Sequence, residues 1–420
     1  MKRLFYMILL FTPLFSQGQD PSFSQFDLNM MYSNPAFAGY EGSTKPLLHS
    51  RNQWNGINEN FNNSIFEIST NIKLNRNDRK SSTSWSPGIG VIKEDLVGIN
   101  GTGNNVFINR MEFSLYPFTF HKRIDFKIGN LKIDNLWLSW GGGIHARQYS
   151  LDDSRLIFSD QWSALGQFSG FGSSGAPLSE FIHDDWQIDG STGFILTKQG
   201  RYQSTQGNRF MAGWSLSHIA RPKESLSGSS ARVPLKNIIH AEWFYGVPSF
   251  RTPFIPYIKT MFKHERYGDD FYKTTLPWKE SLISKTEFGG TAFVNNTPIE
   301  IGSIYRICHN YDNSYHSQSF VPLIRYRFSR NHLWILSYSY DMNIAAEIDR
   351  LNIGDTKTTH EMGVSIYLYA GQGRSGCPAF MENSEFYKDI YENGLLNFKK
   401  NRRNFKLHKK QKQKPKFNYN

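Results

Sequence analysis

The residues that could do chemistry in this chain are not arranged to do it. His360-Glu361 opens like the metal-binding helix of zinc proteases, which needs a second His four residues on, but position 364 is Val. Gly101-Thr102-Gly103 lacks the third Gly of a dinucleotide loop, and no Gly-x-Ser-x-Gly elbow occurs. The 12 His are scattered without ligand spacing. Two cysteines, Cys308 and Cys377, cannot build a Cys-based zinc site or a disulfide-stapled scaffold. Asp152-Asp153 and Asp184-Asp185 flank the longest connection and offer oxygen ligands of the kind calcium takes, although paired acids there are also ordinary solvated turn residues. The expectation is a non-enzymatic protein with no cofactor and no metal.

Composition turns attention to architecture. Of 420 residues only 39 % are hydrophobic, low for a soluble chain of this length, yet 33 Phe, 21 Tyr and 10 Trp rule out a disordered one. Many aromatics with few aliphatics predict a wet interior and a greasy outside. The net charge of +12 is local: Lys2 and Arg3 carry two of it, ten Lys and Arg lie between 399 and 416, and the body is neutral. A nucleic-acid-binding domain spreads its basic residues over a folded face, so no nucleic-acid partner is expected.

Lys2-Arg3, the apolar run Leu4 to Phe15, and small residues at Ser16 and Gly18 form a secretory signal pattern, with 1–18 removed and Gln19 left first. That run is too short to span a bilayer, and no later segment has 18 or more apolar residues. Membrane residence therefore requires a β-barrel.

The rest of the chain is written in period two. Trp334, Leu336, Tyr338, Tyr340 and Met342 alternate with Ile335, Ser337, Ser339 and Asp341. Trp186, Ile188, Thr192, Phe194 and Leu196 alternate with Gln187, Asp189, Ser191 and Gly193, and Met362, Val364, Ile366 and Leu368 with Glu361, Gly363 and Ser365. Alternation over about ten residues between turn signals is the pattern of outer-membrane strands. It predicts an all-β, transmembrane antiparallel barrel of fourteen strands over 46–370: 46–52, 64–74, 87–93, 105–117, 136–150, 185–198, 210–218, 237–245, 252–263, 285–294, 299–309, 320–328, 333–342 and 359–369. Connections after odd strands come out longer than those after even strands. With long outer loops and short periplasmic turns, both chain ends then lie in the periplasm.

The residues after the signal carry a resemblance. Asp20-Pro21, Phe23-Ser24-Gln25-Phe26, Asn34-Pro35-Ala36-Phe37-Ala38-Gly39 and Arg51-Asn52-Gln53-Trp54 resemble the amino-terminal block of the PorP/SprF family of Bacteroidetes outer-membrane proteins, tied to type IX secretion and gliding motility. Asp152 to Trp162, Ser217-His218 to Pro222, Ser337 to Asp341, His360-Glu361 and Cys377-Pro378-Ala379-Phe380 also match, so the likeness runs to about residue 380. It implies a barrel in outer-membrane lipid that helps secrete or anchor a surface adhesin, or that links the periplasmic machinery to the membrane. A porin-like solute channel is the alternative, and an outer-membrane hydrolase ranks last. The block supplies the candidate partner-binding residues Pro21, Phe23, Ser24, Gln25, Phe26, Asn34, Pro35, Gly39, Arg51, Asn52, Gln53 and Trp54.

The block also reads from its residues. Pro35 pushes Asn34 towards extended backbone, and Gly39 permits a turn. Phe23, Phe26, Tyr32 and Phe37 are too irregularly spaced for one helix face. Segment 19–45 either plugs the lumen or covers the periplasmic rim. Arg51 is a functional residue or a lumen charge, and Trp54 reads best as an interfacial girdle aromatic. After a glycine hinge at 371–376, a short helix over 384–393 precedes the basic tail; 371–420 is expected to be periplasmic. The tail is a solvated terminus, or Lys399, Lys400, Arg402 and Arg403 dock an acidic periplasmic partner or anionic lipid.

Overall fold

Alternation becomes a wall. In the computed structural model the described residues are 23–368 except 56–58, 75–82, 100–104, 129–130, 152–185, 200–208, 223–231, 247–256, 269–283, 295–296, 310–315, 330–332 and 345–357. The strands in chain order are β1 (Lys45–Asn55), β2 (Glu59–Ser69), β3 (Ile72–Lys73), β4 (Thr83–Trp85), β5 (Gly88–Ile99), β6 (Asn105–Ile128), β7 (Leu131–Leu151), β8 (Gln187–Gln199), β9 (Arg209–Ser217), β10 (Lys236–Gly246), β11 (Tyr257–Tyr267), β12 (Ser284–Phe293), β13 (Ile299–His309), β14 (His316–Ser329), β15 (Leu333–Asn343) and β16 (Thr358–Tyr367). Each of the fourteen long strands pairs antiparallel with its neighbours. β1 meets β16 through Arg51↔Glu361, and β6 meets β7, so the sheet closes as a fourteen-strand barrel. The short β3–β4 pair hangs on β6 through Trp85↔Phe120.

Every predicted strand is present, but three loop expectations are corrected. Residues 53–63 and 94–104 were expected as long connections; β1 and β2 instead run to Asn55 and from Glu59, and β5 and β6 to Ile99 and from Asn105. Residues 118–135 were expected as a connection and are instead the lower halves of β6 and β7, 24 and 21 residues long. The reason is common to all three places. A strand that leaves the hydrocarbon layer keeps its ladder but no longer needs an apolar outer face, so alternation fades before pairing does. Four long connections, 152–186, 218–235, 268–283 and 344–357, lie at one end, while 70–87, which carries the β3–β4 pair, lies at the other. The chain enters at Lys45 and leaves at Tyr367 at the other end, called here the near end.

The two faces of the wall follow the alternation. Leu336 and Met342 are exposed while Ile335, Ser337, Ser339 and Asp341 are buried; Ile188, Phe194 and Leu196 are exposed while Asp189, Ser191, Ile195 and Thr197 are buried. The outward aromatics stack across strands, Phe120 on Trp140 at 6.3 Å, Phe194 on Trp214 at 6.2 Å and Phe328 on Trp334 at 5.8 Å. Such cross-strand pairs are a main source of sheet stability. No helix among the described residues is long and apolar enough to cross a membrane. The barrel's buried apolar clusters form where its inner wall meets residues 23–40.

Candidate functional site

Residues 23–40 form one helical turn, Met30–Ser33, and one 3-10 turn, Pro35–Phe37, and all but Met30 and Tyr32 are buried. The local causes are those the sequence suggested. Asn34 is extended (φ −155°, ψ 115°), its side-chain oxygen accepts the Ala36 N–H at 2.9 Å, and Pro35 opens the 3-10 turn without needing a donor. Gly39 at φ +60° and Gly42 at φ +76° then reverse the chain into β1.

The irregular aromatic spacing makes sense inside a closed wall, because each ring meets a different part of it. Phe23 packs on Ile65 and Ile92; Phe26 on Met261, Ile304, Val321 and Leu323; Phe37 and Tyr40 on Ile195 and Met211; Met31 and Ala38 on Tyr116. Full burial of each large side chain stabilises the arrangement by about 1.5–3 kcal/mol.

Polar contacts hold the backbone between these anchors. Both oxygens of Glu361 accept successive backbone N–H groups, from Ser24 at 2.7 Å and Gln25 at 3.1 Å. Arg51 pairs with Glu361 and, at 3.1 Å, with Asp341, and donates to the Ser24 hydroxyl at 2.7 Å. Arg306 reaches Asp341 at 2.5 Å and also donates to that hydroxyl. Gln25 donates to Ser339 at 2.9 Å. Further along, Thr119 donates to the Pro35 carbonyl at 3.1 Å, Ser215 to that of Ser33 at 2.6 Å, and His121 lies 2.8 Å from that of Ala38.

Asp27 is the deepest charge of the segment. Burial alone would raise its carboxyl; the Arg325 guanidinium, at 2.6 and 2.7 Å, and the Lys259 ammonium outweigh it and hold the group far below the usual carboxylate range. Because the docked value lies below the free one, ionised Asp27 stabilises docking above about pH 4 and loses that contribution as pH falls below it. Proteolysis within 23–43 is therefore expected to speed up between pH 5 and pH 3, measured with an acid-active protease, and Asp27→Asn is expected to flatten that dependence.

The wall is cut to fit. A Cβ at Gly141 would lie 2.5 Å from the Ala36 nitrogen, one at Gly193 would collide with the Asn34 side chain, and one at Gly88 would sit 2.6 Å from the Met31 sulfur. The space left around Leu28, Tyr40 and Leu47 is about 20 Å³, room for about one water.

Of the candidate residues, the structure brings Phe23, Ser24, Gln25, Phe26, Asn34, Pro35, Gly39 and Arg51 together inside the barrel. Gln53 lies 3.5 Å from Arg51, and Asn52 is paired in the wall with His360 and Asn62. Pro21, the Trp54 side chain, the Asp pairs, Cys377 and the tail with Lys399, Lys400, Arg402 and Arg403 lie outside the described residues. The His360-Glu361 pair is split by the strand: Glu361 grips the segment, and His360 bonds Tyr338 at 2.8 Å. Asp27, Lys259, Arg306 and Arg325 escaped the sequence reading. The signal for Lys259 and Arg325 was a second basic residue on the same strand face, Lys263 four residues on in β11 and Arg327 two residues on in β14. Among the described residues no group of three or more His, Cys, Asp or Glu is placed to hold a metal.

Solved structures similar to this chain include β-barrels of the outer-membrane type. The Ralstonia pickettii toluene transporter TbuX aligns at TM-score 0.39 and 11 % identity over 83 % of this chain and 94 % of its own. The CymD monoaromatic hydrocarbon channel aligns at 0.41 and 11 % over 83 % and 94 %. The translocator domain of the autotransporter NalP from Neisseria meningitidis aligns at 0.31 and 8 % over 82 % and 93 %. No curated protein matches the chain. The model of one family, the type IX secretion system membrane proteins PorP/SprF, matches residues 15–366, which takes in the segment that fills the lumen together with all but the last residue of the wall around it, and the chain belongs to that family.

Proposed function

We propose that this barrel serves type IX secretion as a closed, non-enzymatic platform in the outer membrane, holding a secreted surface adhesin or tying the periplasmic machinery to the membrane, with residues 19–45 as its plug. The observation that carries this reading is the lumen: residues 23–40 meet the inner wall on β2, β5, β6, β8, β9, β11, β13, β14 and β16. An open solute channel would leave that space to water. On this reading 1–18 is a signal peptide, the near end faces the periplasm, and the basic tail 371–420 projects there.

Mild crosslinking in outer membranes followed by purification tests it. Type IX machine components or a large secreted adhesin are expected to come down with the barrel. Truncation after Gly376 is expected to weaken capture of a periplasmic partner while leaving the barrel inserted. Recovery of neither class of partner, together with solute flux through the intact protein, would favour the channel.

A further inference from the structure

Behind Phe26 the outer face of the wall is hollowed. Thr260, Gly290 and Ser303 stand side by side on β11, β12 and β13, forming a row of small residues on the outward face. The next outward row on one side is aromatic, Phe262, Phe288, Tyr305 and Phe320, and the row on the other side is Ile258, Ala292, Ile301 and Ile324. Trp243 and Phe210, paired with each other, close one end. The hollow over this floor, lined by the aromatic row and by Trp243 and Phe210, measures about 890 Å³.

The small floor has a backbone cause. A Cβ at Gly290, the middle of the floor, would lie 2.8 Å from the Lys259 carbonyl oxygen, so that position carries no side chain. The same patch seen from inside is the row Met261, Gly289, Ile304 and Val321, three of whose members hold Phe26.

Shape and chemistry select the occupant. The hollow opens on the face that carries the exposed hydrophobic belt, so its surroundings are hydrocarbon. Its flanking rows lie about 13 Å apart at the backbone, before their side chains narrow the gap. A helix about 10–12 Å across does not fit that remainder, whereas a single hydrocarbon chain does. No charge faces outward from it: Glu242, the one charged residue in the lining, is buried and paired with Arg209. The Thr260 hydroxyl turns back to the Trp243 carbonyl at 3.4 Å and so makes little demand for a polar ligand.

We propose that this hollow is a fixed binding site for one acyl chain of an outer-membrane lipid. The inference rests on the membrane setting of the wall and not on the secretory role, so either can fail alone. The test is native mass spectrometry of the full-length barrel extracted from outer membranes into mild detergent. Wild type is expected to keep one lipid per barrel through detergent exchange. Thr260→Trp and Ser303→Trp, which fill the floor, are expected to lose that lipid at least tenfold, and Ile188→Trp on β8 is expected to keep it. Thr260→Leu serves where a Trp variant does not fold, as judged by heat-shifted gel mobility. No retained lipid in wild type, equal retention in the filled variants, or a second copy of the chain in place of lipid would each overturn the proposal.

Discussion

Deleting residues 19–45, with residues 1–18 kept, is expected to convert a non-conducting barrel into a conducting one. In planar bilayers the intact protein should give little current, and the deletion should open steps of stable conductance. The size of the effect follows from what leaves the lumen. The wall side chains that now meet the segment, among them Glu361, Asp341, Arg51, Arg306, Arg325 and Lys259, would face water. A fourteen-strand wall is wider than the eight-strand barrels that fill themselves with their own side chains. Supplying the segment as a separate peptide should close the channel again. Large current from the intact barrel would sink the plug, and so would a deletion that stays silent although correctly inserted.

Glu361→Ala is the single substitution expected to cost most. It removes the acceptor of two backbone N–H groups and one partner of Arg51 in a place where Glu361 is 1 % exposed. Breaking a buried pair from one side typically costs about 3–5 kcal/mol, because the remaining groups stay desolvated. The temperature at which the compact gel band gives way to the unfolded one should fall markedly. Glu361→Gln, which keeps one acceptor, should fall less. In the background of the 19–45 deletion the cost of Glu361→Ala should shrink, since Ser24 and Gln25 are gone; an undiminished cost would mean that Glu361 serves the wall alone.

Much of this architecture is legible along the chain because one face of each strand must satisfy lipid. Leu336, Met342, Phe194 and Met362 announce their strands by being apolar where their neighbours Ser337, Asp341, Gly193 and Glu361 are not. The same logic explains the misses. The lower ends of β6 beyond Phe120 and of β7 before Leu138, and the upper ends of β1 and β2, lie where neither face is required to be greasy, so Asn52 and Asn62 can pair in a ladder that leaves no periodic trace. The interior was legible only as composition. Arg325 and Asp27 meet across 298 residues, and nothing local to either names the other. Gly141 and Gly193 look like ordinary strand glycines until Asn34, Pro35 and Ala36 occupy the space they leave.

The grip on Ser24 has a consequence for how the molecule comes into being. Its partners Asp341 and Glu361 sit on the last two strands, and Glu361 is also the residue that faces Arg51 across the β1–β16 seam. Residues 24 and 25 therefore have no binding site until almost all of the chain has been synthesised and delivered. Contacts of such sequence separation are slow to form, because loop closure must come before any reward. Sealing the barrel and capturing its amino-terminal segment are then a single late event, and a chain that zips β1 to β16 without the segment inside traps it outside a wall with no remaining edge.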